Sequence, residues 1–275
     1  MTSGEAVLVE SSDAVCRITL NRPEKLNALN EGVRRQLTET FTALADDTST
    51  RVVVLSGAGR CFSAGADLSG GFGSAGSGTP RSGGDPPNPP AWSERRHRMG
   101  GWQRLLDLME RVPQVTVARV HSHCVGGGAL LAVSCDFRIL ATDAQVSIPE
   151  LAIGIPLTWA GIPRLVREIG LPMARDLVMT GRVMDAATAH MCGFAQRVVP
   201  AAELDAATGE LVGELIEMPD GPLAMTRSMF AAIARDRTGP TGWADPDLLG
   251  WSFTEEESRQ AAADYVVKRL QKRER

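Results

Sequence analysis

A chain of 275 residues, 43% hydrophobic and 23% charged, holds enough apolar material for one full-sized core, with room for a small C-terminal subdomain. Its 29 Lys and Arg against 33 Asp and Glu give a net charge of -4, and no basic block is longer than the terminal Lys-Arg-Glu-Arg, which argues against a nucleic-acid partner. The opening MTSGEAVLVESSD lacks a basic region followed by an apolar one, and no later apolar run reaches the roughly 18 residues of a spanning helix, so no membrane partner and a cytoplasmic location are expected.

In chain order, AVLVE and AVCRITL are short β-branched runs separated by SSD and predict paired strands. NRPEKLNALN is a polar, proline-containing connection. Val33, Leu37, Phe41 and Leu44 then recur at helical spacing, predicting an amphipathic helix that ends near Ala45. RVVVLSG is too apolar for a half-exposed strand, and a buried strand after a helix suggests α/β layering.

Residues 69–90, SGGFGSAGSGTPRSGGDPPNPP, break every periodicity and predict a long surface loop, either plainly mobile or a lid over a site. A helix is expected from Trp92 to about Arg111, with Met99, Trp102, Leu105, Leu106 and Met109 on its apolar side. QVTVARV predicts another buried strand, continued in extended form through His121 and His123. Leu130 to Ser134 reads as a helix entered through three glycines, with FRILAT and AQVSI as short strands beyond. After Pro172 helical segments dominate. The sheet is therefore placed in residues 1–200, and 201–275 form a helical C-terminal region that packs on it or serves assembly.

Two glycine turns stand out. SGAGRCFSAGADL follows the RVVVL strand, and GGGALLA follows VTVARV. Glycine lets the backbone approach a ligand and adopt positive φ, and the first amides of a helix have no intrahelical acceptor. Two such turns brought together could donate two N–H groups to one oxyanion, although each alone is equally a tight packing turn. Neither fits a nucleotide-binding glycine motif. His121 and His123 lack a third ligand at zinc spacing, so no metal is expected. Cys124 lies among Val and Gly without an activating partner, and the five cysteines (Cys16, Cys61, Cys124, Cys135, Cys192) read as reduced thiols. Glu150, in VSIPELAIGIP, follows an apolar strand and a proline. Apolar surroundings would raise its pKa and make it a proton shuttle; the segment alone favours a solvent-facing turn glutamate.

LSGAGRCFSAGADL, the stretch from VTVARV through GGGALLAVSCDFRIL, PELAIG, and IPRLVREIGLPMARDLVMTGRVMDAATAHMCGFAQRVVP together resemble the crotonase superfamily, the enoyl-CoA hydratase/isomerase family. The similarity runs in order from about residue 6 to 200, and SFTEEESRQAAADYVVKR is similar to the family's last helix. The resemblance implies an α/β fold, a crotonase (ClpP-like) spiral of ββα units with a C-terminal helical trimerisation region, assembled as a homotrimer or dimer of trimers. It implies an acyl-CoA thioester as partner, with coenzyme A as part of the substrate and no separate cofactor. The oxyanion hole would be the backbone amides of Ala66 and Gly127, holding the thioester oxygen while an enolate forms. Arg22, Lys25, Leu26 and Ala28 would lie near the CoA adenine and ribose phosphate, with Lys268 of the last helix assisting.

The departures from the family pattern bear on the reaction. Typical hydratases of the family carry two glutamates. The second is present as Glu150, whereas Leu130 stands at the first position. Hydration needs a water held between two carboxylates, while moving a double bond between C3–C4 and C2–C3 needs one base. Isomerisation of an enoyl-CoA is thus favoured, with hydration proper and a non-catalytic acyl-CoA carrier or sensor as alternatives. Ser122 stands where the family often has glycine, and the usual PxxGG is altered to IPLTWAGIP. That change places Trp159 and Ala160 near the acyl pocket, where Trp159 either reshapes the pocket or packs as an ordinary aromatic. Asp67 is read as ordering its turn as a helix cap, a proton-transfer role remaining open.

Overall fold

The structure, a computed structural model, describes residues 5–68, 91–238, 242 and 244–273; the expected loop at 69–90 lies outside them. Strands β1 (Val7–Ser12) and β2 (Val15–Leu20) form the expected antiparallel pair. Helix α1 (Glu31–Ala45) follows, capped by the Asn30 side chain, which accepts from Val33 N–H at 3.0 Å and so satisfies one of the orphan amides of the first turn. Its Val33, Leu37, Phe41 and Leu44 are all buried, as their spacing predicts.

β3 (Val52–Gly57), β4 (Val115–Val120), β6 (Phe137–Ala141) and β9 (Arg197–Val199) join β2 in parallel. The result is a six-stranded sheet in the order β1-β2-β3-β4-β6-β9. Side chains alternate across a strand, so Val53 and Leu55 enter one apolar core while Val52 and Val54 enter another on the opposite face. The first core is the larger and contains α1. Helix α7 (Leu204–Glu217) covers the second core through Leu204, Leu211, Val212 and Leu215.

Beside this sheet lies a second one of three strands, β5 (His123–Val125), β7 (Gln145–Ser147) and β8 (Val183–Asp185), ordered β5-β7-β8. The chain passes from the first sheet to the second at Ser122, whose φ of +52° turns the backbone. The extended run expected from β4 through His123 is therefore broken in the middle, and the break is what lets β5 pair with β7.

The helix expected from Trp92 to Arg111 is two helices, α2 (Trp92–Met99) and α3 (Gly101–Met109), parted at Gly100. α4 (Gly127–Val133) begins within the glycine run, earlier than its apolar residues suggest. α5 (Gly161–Thr180) runs through Pro172 with a break at Gly170 (φ +70°, ψ +161°), two residues ahead of a residue that cannot donate its N–H. α6 (Ala186–Met191) and α8 (Asp220–Thr238) continue the chain, and α9 (Asp245–Ser252) and α10 (Glu256–Arg273) end it. α10 crosses the turn that carries Glu150: a Cβ on Gly154 would fall 2.3 Å from Ser258 O. Among the described residues, no helix is long and apolar enough to cross a membrane.

Candidate active site

The loop after β3 is held by two short bridges, one to β5 just ahead of α4 and one to the connection before α1. Ser63 pairs with Cys124, donating to His123 O at 3.0 Å and accepting from Val125 N–H at 3.0 Å. Leu29 pairs with Ala66 in the same manner, donating to Gly65 O (2.8 Å) and accepting from Asp67 N–H (2.9 Å). In such a parallel bridge alternate peptides face opposite ways, so the Ala66 N–H points away from Leu29. The Gly127 N–H is the first of α4 and has no intrahelical acceptor. Both residues line one pocket.

The glycines at this junction are needed for two separate reasons. Gly126 has φ +52° and ψ -119°, a conformation open essentially to glycine alone, and a Cβ there would lie 2.5 Å from Glu150 Oε1. A Cβ on Gly128 would meet Ser63 Cβ at 2.7 Å. The backbone can therefore pass against both the carboxylate and the opposing loop.

Glu150 opens a single 3-10 turn (Glu150–Ile153) directly after Pro149. Its Oε2 is buried and accepts no hydrogen bond from the described residues. Burial away from any cation pushes its pKa up from 4.5 to about 7. The solvent-facing turn glutamate favoured by the local sequence is thus replaced by a carboxyl enclosed in the pocket wall. The reason lies outside the segment: α10 packs over the turn and brings Tyr265 to the same pocket.

The pocket brings together Ala66, Gly127, Leu130, Glu150 and Trp159 of the sequence-derived set. Leu130 is buried, and Glu150 is the one carboxylate in the lining among the described residues. Arg22, Lys25, Leu26, Ala28, Asp67 and Lys268 stand outside it. Arg22 is engaged locally, its guanidinium pairing with Asp67 at 2.8 Å and donating to Ala28 O at 2.5 Å. This pair ties the connection before α1 to the loop that carries Ala66. Leu26 O accepts from Ala64 N–H at 2.9 Å, and Lys25 and Lys268 are exposed.

Several pocket residues had no signal in the sequence. Met99 and Trp102 read only as the apolar side of a helix; Leu249, Phe253 and Tyr265 arrive from the C-terminal region. His121 lies with Nε2 2.9 Å from Gly59 O, and burial pushes the Cys124 thiol far up, so neither residue offers a nucleophile to the site.

A family model described as enoyl-CoA hydratase/isomerase matches residues 15–243. A probable enoyl-CoA hydratase of Mycobacterium tuberculosis is 31% identical over 96% of each chain. The human mitochondrial Delta(3,5)-Delta(2,4)-dienoyl-CoA isomerase is 35% identical over 74% of this chain and 62% of its own. Among solved structures, a putative enoyl-CoA hydratase from Thermobifida fusca in complex with CoA superposes with a TM-score of 0.73 at 28% identity, covering 96% of this chain and 95% of that one. With the fold, the two glycine turns and these matches in agreement, the chain is an enzyme of the enoyl-CoA hydratase/isomerase family, the crotonase superfamily.

Proposed function

We propose that the protein isomerises an enoyl-CoA thioester, with Glu150 as the single general base and the Ala66 and Gly127 amides as the oxyanion hole. The thioester oxygen accepts from both N–H groups, which stabilises the negative charge that develops when Glu150 removes a proton from C2 of a 3-enoyl group. The electron pair of the broken C–H bond delocalises over a dienolate. Glu150 then returns its proton to C4, leaving the double bond between C2 and C3. No net proton or water is consumed, so one carboxylate suffices.

The observation that carries this reading is that Glu150 is the one carboxylate in the pocket lining among the described residues, with Leu130 beside it in that lining. Hydration would need a second group to hold and activate water at C3, and the residue that the family resemblance puts in that role is the apolar Leu130, which lines the pocket. The carboxyl's raised pKa of about 7 suits a group that must both take and return a proton near neutrality. Acyl-CoA as the substrate class is supported by the family and by the CoA held by the Thermobifida relative. Assembly with further copies of the chain, as a trimer or dimer of trimers, is supported by the exposed apolar row Met225, Met229, Phe230 and Ile233 on α8. A cytoplasmic location belongs to the same reading.

The test is turnover of matched 3-enoyl-CoA and 2-enoyl-CoA substrates, with products resolved by mass and double-bond position. Migration without a gain of water is expected, with kcat/KM rising as pH increases through about 7 and levelling once Glu150 is ionised. Glu150→Gln should lower the rate by at least about 100-fold. Efficient water addition by the wild-type protein would overturn the isomerase reading, and acyl-CoA binding without any turnover would identify a carrier instead.

A further inference from the structure

Trp159 and Ala160 are consecutive residues in the left-handed region, with φ of +62° and +51°. Neither is glycine, and such a backbone costs an L-residue about 1–2 kcal/mol. Strain of this kind persists only where surrounding structure enforces it. Here the enforcement is visible. Arg164, fully buried, donates from Nη1 to Trp159 O at 2.7 Å. Its remaining guanidinium nitrogens are held by both carboxylate oxygens of Glu110 (3.1 and 3.0 Å) and by Asp107 (2.7 Å). From the other side Asp245 Oδ2 accepts from Ala160 N–H at 2.7 Å. Arg164 of α5 and Asp245 of α9 thus grip the two ends of the single peptide group between Trp159 and Ala160, while Asp107 and Glu110 at the end of α3 hold the guanidinium.

The result of this clamp is the position of one indole. Trp159 stacks on Trp102 with ring centroids 4.8 Å apart and an interplanar angle of 13°. Its six-membered ring lies so close to Gly127 that a Cβ there would fall 2.5 Å from Cζ3. The indole therefore abuts the very residue whose amide faces the pocket, with a second indole stacked against it. Glycine at 159 would adopt this backbone without strain, so the conformation alone gives no reason for a tryptophan.

We propose that Trp159 is the specificity-determining residue of the acyl pocket, a wall that limits the enzyme to short acyl groups, and that Asp245 and Arg164 are its positioning residues. The inference rests on the acyl-CoA reading above and narrows its substrate class. An acyl chain whose thioester oxygen sits at Ala66 and Gly127 starts beside this indole, and each methylene added beyond the first few must displace a ring braced by its stacked neighbour.

The test measures binding rather than turnover. Dissociation constants of butyryl-CoA and decanoyl-CoA, saturated and inert to the proposed proton transfer, are determined by calorimetry. The wild-type protein should bind butyryl-CoA at least as tightly as decanoyl-CoA. Trp159→Gly removes the wall and relieves the strain, and should move the ratio of the two constants toward decanoyl-CoA by about tenfold or more. Trp159→Ala provides the same readout if the glycine variant does not purify. Asp245→Ala should move the ratio the same way by about threefold, and Asp245→Asn, which keeps an oxygen acceptor for Ala160 N–H, should restore it. A wild-type preference for decanoyl-CoA, or a ratio unmoved by loss of the indole, overturns the proposal. Butyryl-CoA binding with a movable ratio but no turnover of any enoyl-CoA removes the isomerase reading and leaves the wall standing. Failure of the wild-type protein to bind either ligand removes both.

Discussion

Two turns line the same pocket, and both have a backbone of positive φ. At Gly126 the chain uses glycine; at Trp159 and Ala160 it does not. The difference follows from what lies beyond each Cα. At Gly126 the space is taken by Glu150, whose Oε1 would stand 2.5 Å from any Cβ, so the position excludes a side chain on steric as well as conformational grounds. At Trp159 the side chain itself forms the wall, and the conformational cost is offset by buried hydrogen bonds from Arg164 and to Asp245. Glycine is thus essential where the backbone must clear a functional group and dispensable where other residues can hold it.

Replacing glycine at the first wall should give the largest effect. Gly126→Ala would combine a disfavoured φ with a collision against the carboxylate, and is expected to cost about 2–4 kcal/mol in denaturant unfolding and to reduce turnover by more than about 100-fold. Retention of near-normal activity would mean that Glu150 does not work from this position. Trp159→Gly relieves about 1–2 kcal/mol of backbone strain but loses the packing of the indole on Trp102, about 3–5 kcal/mol, so a net destabilisation of about 2–3 kcal/mol is expected in the same unfolding measurement.

A second experiment isolates the carboxyl that Gly126 accommodates. Its folded pKa, about 7, is raised above 4.5, so the folded state binds its proton more tightly than the unfolded chain does. The protonated group is tolerated fully below about pH 4.5, and stability is lost as pH rises through about 7. Glu150→Gln removes that titration. The variant should gain on the wild-type protein between these pH values, by on the order of 2–3 kcal/mol at pH 8, read from paired denaturant curves. A pH-independent difference between the two would show that Glu150 titrates like an exposed carboxyl.

The same two walls show what was legible in the sequence. The glycine turns and the strands around them could be read because each rests on local pattern, a β-branched run or a glycine cluster; Ala66, Gly127 and Glu150 take their roles from the family resemblance, and all three line one pocket. The environment of Glu150 could not be read, since the covering helix α10 begins more than a hundred residues later. Nor could the clamp on Trp159. Arg164, Glu110, Asp107 and Asp245 are ordinary surface-type residues in the sequence, and only tertiary packing turns them into a buried network. Arg22 illustrates the converse: a basic residue expected beside CoA phosphates has its guanidinium bonded to Asp67 and the Ala28 carbonyl.

Ser122 supplies the smallest effect and the cleanest control. Its φ is positive (+52°), as in the Trp159 turn, yet it is only partly buried, and among the described residues no hydrogen bond from its hydroxyl holds it in place. What fixes its conformation is the change of sheet, with Ser122 O accepting from Gln145 N–H at 2.6 Å as β4 gives way to β5. Ser122→Gly should therefore relieve strain without removing a contact. Part of that gain is offset by the greater freedom of glycine in the unfolded chain, leaving a net stabilisation of roughly 0.5–1 kcal/mol with turnover unchanged. The sign is what matters. A stabilised, fully active variant would show that positive φ at this crossing is a cost imposed by topology, and that the serine contributes nothing to the site. A destabilised one would mean that the serine side chain contributes to the fold, and the contrast between glycine-requiring and glycine-free turns would then rest on the pocket walls alone.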